Sequence, residues 1–380
     1  MKRQKALTIF LAALIALALG LAGCGGGGDG GGGTEGTDSP GAEADAPAAQ
    51  AGTPITIKVN SFLPEGSTLT EGTKASVENI AKFSNGELIG EGYYNGSLLG
   101  FDDSWEGTGT GTVDVSFIGP AILGQYSRLL DGLQLPYKGI SPDERNTMKA
   151  FNEFVNGHEE FAKDLEKHNL KILYIEGVPG SAIHTTSKTV KVPADCKGIV
   201  IDALGKNNAD FFTALGAKTM TLDFGEYLIS AQRGVVDAFL DGWAAMNDSQ
   251  CIEVVKKHTV FGEATDDHPS GNGLSSSPMT YVVNLDTWNK LSESQQQALV
   301  KAFEEGVATV PDLDRVSQQN AYNIAKERGD EIISVTGAEF DAWYDAAKPV
   351  IEAWIKEMDS QGYDGQKLYD DLQATLGKYQ

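Results

Sequence analysis

Residues 196–205 read CKGIVIDALG, and this stretch decides the fold class. Three apolar residues, Ile199, Val200 and Ile201, follow a Lys-Gly pair and are stopped by the carboxylate of Asp202. Such a short apolar run predicts a buried strand of a mostly parallel sheet. Asp202 then ends the strand at the edge where open α/β sheets bind their ligands. The sequence therefore predicts a functional role for this carboxylate.

Similar runs recur along the chain and alternate with helical patterns. Ile55, Ile57 and Val59 share one face of a strand through their period of two, whereas Val77 and Ile80 follow the helical period. Further strands are predicted at 113–119, 170–177 and 279–284. Strands that alternate with helices indicate an α/β fold.

Two helix starts carry the capping-box pattern, in which a hydroxyl residue precedes Glu or Gln by three positions. These are Ser292 with Gln295 and Thr336 with Glu339. A folded body of about 325 residues exceeds one comfortable hydrophobic core, so we expect two lobes.

The N-terminus has the form of a signal peptide. Three cationic residues precede the apolar run ALTIFLAALIALALG, and small residues follow it in LAGC. We expect residues 1–23 to be removed and Cys24, which looks like a bacterial lipobox cysteine, to carry palmitate. Residues 24–53 are rich in Gly and Ala and predict a flexible tether. The expected location is extracytoplasmic, with a lipid anchor in the cell membrane.

The net charge limits the kinds of molecule that the protein can bind, and the cysteine content limits its possible disulfides. The net charge of −23 disfavours nucleic acid and anionic membrane surfaces, because like charges repel. Besides Cys24, the chain contains only Cys196 and Cys251. Outside the cytoplasm these two form either one disulfide or two buried thiols; export favours the bridge, and both alternatives stay open.

Signatures of catalysis are missing from the sequence. It contains no HExxH, GxSxG or Walker motif, and the repeat GTGTGT (107–112) leads into a strand instead of a helix N-terminus. His184, His258 and His268 lack the spacing of metal ligands. We therefore expect no cofactor, no metal and no enzymatic activity. A tethered two-lobed body without catalytic residues suits a receptor that captures a solute between its lobes.

Seven stretches, in order, resemble the solute-binding proteins of TRAP (tripartite ATP-independent periplasmic) transporters. The resemblance covers most of residues 55–310. It implies a monomeric two-lobed clamshell of the periplasmic-binding-protein type, with mixed sheets flanked by helices, that closes on one small molecule. Its implied partner is a sodium-driven membrane permease with a small and a large subunit. The stretches are SFLPEGSTLTEG, YNGSLLG, GTVDVSFIGPA, LQLPY, HTTSKTVKVPADCKGIVI, ALGAKTMTLDFGEYLISAQRGVVDAF and YVVNLDTWNKLSESQQQALVKAFEEG.

The resemblance also suggests how the chain is divided. Residues 54–178 would form mainly the first lobe and residues 179–278 mainly the second. Residues 279–335 would cross back to the first lobe and include shared elements, and residues 336–380 would form C-terminal helices.

The chain departs from the family pattern at its most informative positions. Asp202 stands where the family usually has an Arg that pairs with a substrate carboxylate. Ala182 replaces a second Arg, Asp241 an Asn, and Gly119 a glutamate that some members carry. The positions that persist are Asn60 behind the first strand and Phe224, which typically packs on the ligand.

These changes predict a ligand with positive charge. An anionic ligand beside Asp202 and Asp241 would be unfavourable, whereas an amine would pair with them. Aromatic faces near these positions would add cation–π contacts of about 0.5–2 kcal/mol each. The expected ligand-binding residues are Asn60, Phe62, Phe117, Gly119, His184, Asp202, Phe224, Asp241 and Trp243.

Several alternatives remain open at this point. Asp202 could cap the following helix and Asp241 could lie in a turn before Gly242. The two carboxylates could instead hold Ca²⁺ that bridges an organic acid. A protein cation, Arg145, Lys138 or Lys206, could offset Asp202, and the receptor would then still take a carboxylate.

Two other classes of protein also fit the same features. One is a surface lipoprotein enzyme on this scaffold, which would turn its ligand over instead of returning it unchanged. The other is a structural or adhesive lipoprotein, which would lack a cleft between lobes.

Overall fold

The computed structural model describes residues 53–176 and 180–380. The expected signal peptide, Cys24 and almost the whole tether lie outside the described residues. Within the described part, no helix is both long and apolar enough to cross a membrane.

Strands and helices alternate through the described part, and short 3-10 turns occur between them. The strands are β1 (Ile55–Asn60), β2 (Leu88–Tyr93), β3 (Val115–Ile118), β4 (Leu170–Glu176), β5 (Ala182–Thr185), β6 (Val200–Ala203), β7 (Lys218–Met220), β8 (Ala238–Asp241), β9 (Lys257–Phe261), β10 (Met279–Asn284) and β11 (Glu331–Val335). The helices are α1 (Thr68–Phe83), α2 (Ser104–Gly109), α3 (Pro120–Tyr126), α4 (Arg128–Asp131), α5 (Glu144–Gly157), α6 (Glu159–Glu166), α7 (Lys206–Ala214), α8 (Tyr227–Gln232), α9 (Trp243–Asp248), α10 (Leu285–Lys290), α11 (Glu293–Val307), α12 (Val310–Arg328), α13 (Gly337–Ser360) and α14 (Gly365–Lys378).

The strands form two mixed sheets. The first has the order β2-β1-β3-β10-β4, in which β1 runs parallel to β2 and β3, and β10 runs antiparallel to β3 and β4. The second has the order β11-β9-β5-β8-β6-β7. In it β6 lies parallel to both neighbours, as its apolar run predicted, while β5 is antiparallel to β8 and β9. The predicted α/β architecture with mixed sheets is confirmed.

Hydrophobic periodicity explains which faces of the first sheet are buried. Ile57 and Val59 of β1 are fully buried, whereas Ile55 at the start of the strand is 39% exposed. Their buried face belongs to an apolar cluster that also contains Phe117 of β3 and Phe303 of α11. Helices α1 and α11 pack against each other over this cluster. The carboxyl ends of β1 and β3 are thereby held in place.

Helix α13 is bound at two distant points by tryptophan side chains. Trp343 donates from Nε1 to the carbonyl oxygen of Lys191 at 3.1 Å, and its ring contacts Phe261 of the second sheet edge-on. Eleven residues further on, Trp354 donates to the carbonyl oxygen of Arg128 at 2.8 Å. Pro349 lies inside the helix, between the two tryptophans.

One of the two predicted capping boxes is present. Ser292 Oγ accepts from the amide of Gln295, and the Gln295 side chain accepts from the amide of Ser292. The prediction for Thr336 is wrong, because its side chain makes no cap hydrogen bond although α13 starts directly after it. Glu339 instead pairs with Lys191 at 3.0 Å. The carboxylate that the box requires is therefore engaged elsewhere.

The disulfide favoured above is wrong. Cys196 and Cys251 are both free and buried, and they lie in different apolar clusters. Burial disfavours the thiolate and raises the pKa of Cys196 to about 12 and that of Cys251 to about 11. Both side chains therefore act as small apolar core residues.

Dithiothreitol should leave the thermal unfolding midpoint unchanged, because no bridge connects the two thiols. A disulfide typically contributes about 2–4 kcal/mol, so its reduction would lower the midpoint by several degrees. Scanning calorimetry with and without the reductant measures the difference. A clear drop on reduction would contradict the free-thiol state.

Candidate functional site

A cleft lies between segments that follow strands of both sheets. It encloses about 800 Å³ of space, part of which is open to solvent. A purely structural lipoprotein would lack such a cleft. Its lining residues are Phe62, Leu63, Ser67, Thr68, Leu69, Phe101, Phe117, Gly119, Pro120, Ala121, Leu204, Leu222, Phe224, Tyr227, Asp241, Gly242, Ala244, Ala245, Asp248, Met279 and Asp314.

Strand topology explains why these residues meet. Phe62 follows β1, Gly119 follows β3, Leu204 follows β6, and Asp241 is the last residue of β8. The carboxyl ends of these strands therefore face the cleft from both sheets, which is the usual ligand position in open α/β sheets.

The structure brings five of the nine expected ligand-binding residues to the cleft surface. These five are Phe62, Phe117, Gly119, Phe224 and Asp241. The other four lie outside its lining and are fully buried: Asn60, His184, Asp202 and Trp243.

Asn60 holds in place a loop that contributes to the cleft. Its Nδ2 donates to the carbonyl oxygen of Leu99 at 3.2 Å, and its Oδ1 accepts from the amide of Leu99 at 3.1 Å. This two-way bond fixes the loop that carries Phe101 to the cleft. Phe101 was not predicted from the sequence, because its loop lies 39 residues away from Asn60.

Aromatic rings form one wall of the cleft. The ring of Phe62 meets Phe101 edge-on at 4.9 Å between centroids and Phe117 at 5.6 Å. A Cβ at Gly119 would lie 3.1 Å from Phe101 and 3.2 Å from Phe62, so the glycine leaves room for both rings. Phe224 adds a further ring to the lining from the second sheet.

Asp241 lines the cleft, is only 8% exposed and has no cationic partner within the described part of the chain. Its Oδ2 accepts from the hydroxyl of Tyr227 at 3.1 Å, and its Oδ1 accepts from the amide of Gly242 at 2.8 Å. Burial raises the pKa of Asp241 to about 6, although both hydrogen bonds lower it.

Asp202 lies on strand β6, which neighbours the strand β8 that carries Asp241, and its side chain is fully buried. Its Oδ1 accepts from the amide of Leu222 at 2.8 Å, whereas its Oδ2 has no hydrogen-bond partner in the described part of the chain. Burial raises the pKa of Asp202 to about 7 and the nearby Asp241 adds to this, while the Leu222 amide and Tyr227 lower it. Asp202 is therefore a buried carboxyl group next to the cleft and not part of its surface.

The alternative of Asp202 as a helix cap is wrong. The N-terminus of α7 is capped by Asp131, whose carboxylate accepts from the amides of Lys206 at 3.1 Å and Asn207 at 3.0 Å. Asp131 comes from α4, far away in the sequence. The acceptor that a helix start requires is thus supplied by the tertiary fold.

None of the three cations considered as partners pairs with Asp202. Arg145 binds Asp312 at 2.7 Å and Lys138 binds Asp341 at 2.8 Å. Lys206 binds Asp210, four residues further along α7.

Two further carboxylates line the cleft and were not predicted. Asp248 of α9 accepts from the amide of Thr68 at 3.2 Å, from the Thr68 hydroxyl at 3.3 Å and from Ser317 at 2.5 Å. It thereby connects the start of α1 with α9 and α12 and has several donors of its own. Asp314 of α12 accepts from Gln318 Nε2 at 2.6 Å.

Asp314 lies close to two other buried carboxyl groups, Glu144 and Glu176. Burial is the main cause that raises the pKa of Asp314 to about 7, and Asp248 and Asp241 also raise it. Burial, with Asp314 nearby, likewise raises the pKa values of Glu144 and Glu176. No sequence pattern marked these residues, since they come from two helices and a strand end that only the fold brings together.

Positive charge is absent from the described lining of the cleft, which contains no Lys, Arg or His. Across residues 53–176 and 180–380, no three His, Cys, Asp or Glu side chains are arranged to hold a metal ion. The geometry therefore gives the Ca²⁺-bridge alternative no support.

His184 and His258 form a buried pair beneath the cleft. Their Nδ1 atoms lie 2.8 Å apart, and both rings contact Trp243. Burial lowers the pKa of both, that of His258 to about 3, so the pair is neutral. Trp243 itself is bound through Nε1 to the carbonyl oxygen of Pro269 at 2.9 Å. These residues pack beneath the site and do not line it.

Relative to the wild type, Asp202→Asn should make the unliganded protein more stable at about pH 8 than it does at about pH 5. Between about pH 4 and pH 7 the folded state keeps a proton on Asp202 that the unfolded state releases, so stability falls as pH rises. Asparagine cannot ionise and still accepts from the Leu222 amide. The difference in unfolding free energy between variant and wild type should grow by about 2 kcal/mol over this range.

Urea unfolding at the two pH values measures this difference. Asp210→Asn is the matched control, because that carboxylate is about half exposed and ion-paired. Equal pH dependence in wild type and Asp202→Asn would show that Asp202 titrates normally.

Both a family model and individual proteins of known sequence match most of the chain. Residues 59–357 match the family model described as bacterial extracellular solute-binding protein, family 7. The 2,3-diketo-L-gulonate-binding periplasmic protein YiaO of Escherichia coli (strain K12) is 25% identical over 265 residues, which are 69% of this chain and 75% of that protein.

Solved structures show the same fold. A marine metagenome TRAP solute binding protein specific for aromatic acid ligands, in complex with metahydroxyphenylacetate, superposes with a TM-score of 0.74 at 21% identity, covering 86% of this chain and 99% of that one. A TRAP periplasmic solute binding protein from Bordetella bronchiseptica with bound mandelate gives 0.72 at 21% identity, covering 86% and 100%. One from Chromohalobacter salexigens with bound D-glucuronate gives 0.70 at 19% identity, covering 84% and 99%. The two sheets thus form the clamshell expected from the resemblance.

Proposed function

The chain belongs to family 7 of the bacterial extracellular solute-binding proteins, the receptors of TRAP transporters, and we propose that the solute it captures is a small cationic compound. The family assignment confirms the resemblance found in the sequence. Members of this family and the structural relatives are solute-binding receptors and not enzymes. The proposal concerns the charge of the ligand.

One observation carries the proposal: the described lining contains Asp241, Asp248 and Asp314 but no basic residue. Burying a carboxylate ligand next to unpaired carboxylates requires a counter-charge that this lining lacks. An ammonium group supplies that charge itself and donates hydrogen bonds to Asp241. The cleft would therefore select for positive charge.

The aromatic wall fits the same ligand class. Phe62, Phe101 and Phe224 line the cleft, and no Lys or Arg of residues 53–176 and 180–380 lies over their rings. A bound ammonium group over such a ring gains about 0.5–2 kcal/mol. The remaining lining is largely aliphatic, so an amine with an apolar or aromatic body matches it.

A second candidate is an organic acid, because the solved relatives contain metahydroxyphenylacetate, mandelate and D-glucuronate. With pKa values raised to about 6 and about 7, Asp241 and Asp314 can be protonated and then donate hydrogen bonds to a carboxylate. This mode requires protons, whereas the binding of a cation displaces them. The two candidates therefore differ in the sign of their pH dependence.

Benzylamine should bind more tightly as pH rises from about 5 to about 8, with a gain of about tenfold. Only the ionised carboxylates of Asp241 and Asp314 attract the ammonium group, so binding should release protons below about pH 7. Isothermal titration calorimetry in two buffers of different ionisation enthalpy measures both effects.

Phenylacetate is the matched acid. Under the cationic proposal it should not bind, whereas an organic-acid receptor should bind it more tightly as pH falls. If phenylacetate binds and tightens as pH falls while benzylamine does not bind, the receptor is an organic-acid receptor. Asp241→Asn should weaken benzylamine by about tenfold or more through the loss of a charged hydrogen bond. Asp370→Asn, at an exposed position of α14, should leave it unchanged.

We also propose that the receptor is a monomer anchored through a lipid on Cys24 and that it passes its solute to the small and large permease subunits. The LAGC sequence and the Gly-rich stretch behind it support this arrangement. The proposal also keeps the expected division of the chain at residues 54–178, 179–278, 279–335 and 336–380, and it keeps as ligand-binding residues the five that line the cleft: Phe62, Phe117, Gly119, Phe224 and Asp241.

Cys24→Ser should move the receptor from the membrane fraction to the soluble fraction, because the acyl chains attach to this thiol. Fractionation of cells followed by immunoblotting measures the distribution, and Cys196→Ser is the control. Retention of the Cys24→Ser variant in washed membranes would contradict a lipid anchor at this residue.

A further inference from the structure

We propose that Asp248 is a positioning residue that closes one end of the cleft and thereby limits the solute to a charged group with a body the length of a single ring. This inference rests on the proposed function, because it takes the cationic group of the solute to be bound at Asp241. It adds the size of the solute, which the charge of the lining does not determine.

One face of α9 runs along the cleft. The lining residues Asp241, Ala244, Ala245 and Asp248 follow one another at the spacing of a single helix face. A helix rises about 1.5 Å per residue, so Asp248 lies roughly 10 Å from Asp241 along this face. The two alanines between them carry only methyl groups. The body of a solute bound at Asp241 therefore has room along α9 as far as Asp248.

A contact between α9 and α1 closes the far end of this face. Thr68 is the first residue of α1 and Asp248 is the last residue of α9, and both line the cleft. Asp248 Oδ2 accepts from the amide of Thr68 at 3.2 Å and from its hydroxyl at 3.3 Å. No other hydrogen bond connects α1 with α9 in the described part of the chain. The two walls of the cleft thus meet at this pair.

Helix α1 requires the acceptor that Asp248 provides. The first amides of a helix have no partner within the helix, and an N-cap side chain usually accepts from one of them. The N-cap residue of α1, Ser67, makes no such side-chain hydrogen bond. Asp248 accepts from the first amide instead, and its negative charge is favourable at a helix N-terminus. The start of α1 is therefore held by a residue from the opposite wall.

The carboxylate of Asp248 is fully occupied by protein donors. Its Oδ1 accepts from Ser317 Oγ at 2.5 Å and from Asn247 Nδ2 at 3.3 Å, so that four donors bind its two oxygens. A carboxylate has about four acceptor positions. Asp241 accepts only two hydrogen bonds from the protein and keeps positions for an ammonium group. Asp241 thus suits the role of ligand, whereas Asp248 suits that of a structural connection.

Asp248 joins three helices at one point. Ile80 of α1 and Met246 of α9 belong to different apolar clusters, so the cores of the two helices do not merge. Helix α12 packs against both, and its Ser317 donates to Asp248. The hydrogen bonds of Asp248 therefore determine how far apart the ends of α1 and α9 lie at the cleft.

The test compares benzylamine with 4-phenylbenzylamine by titration calorimetry at about pH 8. The two probes share the amino group and the first ring, and the second probe has another ring in line with the first. The wild-type receptor should bind benzylamine at least about tenfold more tightly. A cleft with an open end would favour the larger probe instead, because its second ring buries additional apolar surface. The ratio of the two affinities is called the length preference below.

Two variants remove the contact without removing bulk. Thr68→Val keeps the shape of the side chain and loses the hydroxyl, so the length preference should fall about threefold or more, as for one hydrogen bond. Asp248→Leu is no smaller than aspartate but accepts nothing, and the length preference should fall about tenfold. If Asp248→Leu does not fold, as judged by circular dichroism, Thr68→Val decides. Thr336→Val is the control, because Thr336 is exposed and makes no cap hydrogen bond at the start of α13.

The results that overturn the inference differ from those that overturn the proposed function. If the wild type binds 4-phenylbenzylamine as tightly as benzylamine, or if both variants keep the wild-type length preference, Asp248 does not limit the solute and the cationic receptor stands. If phenylacetate and 4-biphenylacetate bind while neither amine does, the cationic receptor is wrong. A length preference between these two acids that falls in Thr68→Val would then still support the role of Asp248, and an unchanged one would overturn it.

Discussion

Uncompensated burial of carboxyl groups is the constraint on which the site depends. Asp202, Asp241, Asp314, Glu144 and Glu176 are all at least nine-tenths buried, and none takes part in an ion pair of the described chain. A buried charge without a partner is costly, so these groups hold protons at pH values where surface carboxyl groups are ionised. Asp131 differs from these groups in its partners, although burial raises its pKa to about 6 as well. It is equally buried, yet two backbone amides, Arg128 and Gln134 bind it, and it serves the fold as a helix cap.

The strand that carries Asp202 and the aromatic residues of the cleft could be predicted from short stretches of sequence. The apolar run before Asp202 predicted a strand with parallel neighbours, and β6 lies between β7 and β8 in that way. The rings of Phe62, Phe117 and Phe224 were predicted near the ligand, and they line the cleft. These predictions needed only periodicity, strand ends and the resemblance to a family, all of which are readable along the chain.

Other parts of the site depend on contacts between distant segments and could not be predicted. Glu144 is the first residue of α5, and Asp314 lies within α12. Both helices contain many polar residues, so the sequence gives no sign that these two carboxylates are buried. His184 and His258 have no ligand spacing, yet the antiparallel register of β5 and β9 sets them side by side. The helix cap of α7 comes from Asp131 and not from the nearby Asp202 for the same reason. Tertiary packing decides which polar groups meet.

Helix α13 connects two segments that lie far apart in the sequence. Its two tryptophans hold it to the carbonyl oxygens of Lys191 and Arg128, so any relative movement of these two segments has to be absorbed within the helix. Proline lacks an amide hydrogen and collides with the preceding turn, which makes a helix bend most easily there. Pro349, placed between the two anchors, thus gives the helix one preferred bending point. A displacement of one anchored segment relative to the other would therefore bend α13 at Pro349 and leave the two tryptophan hydrogen bonds in place.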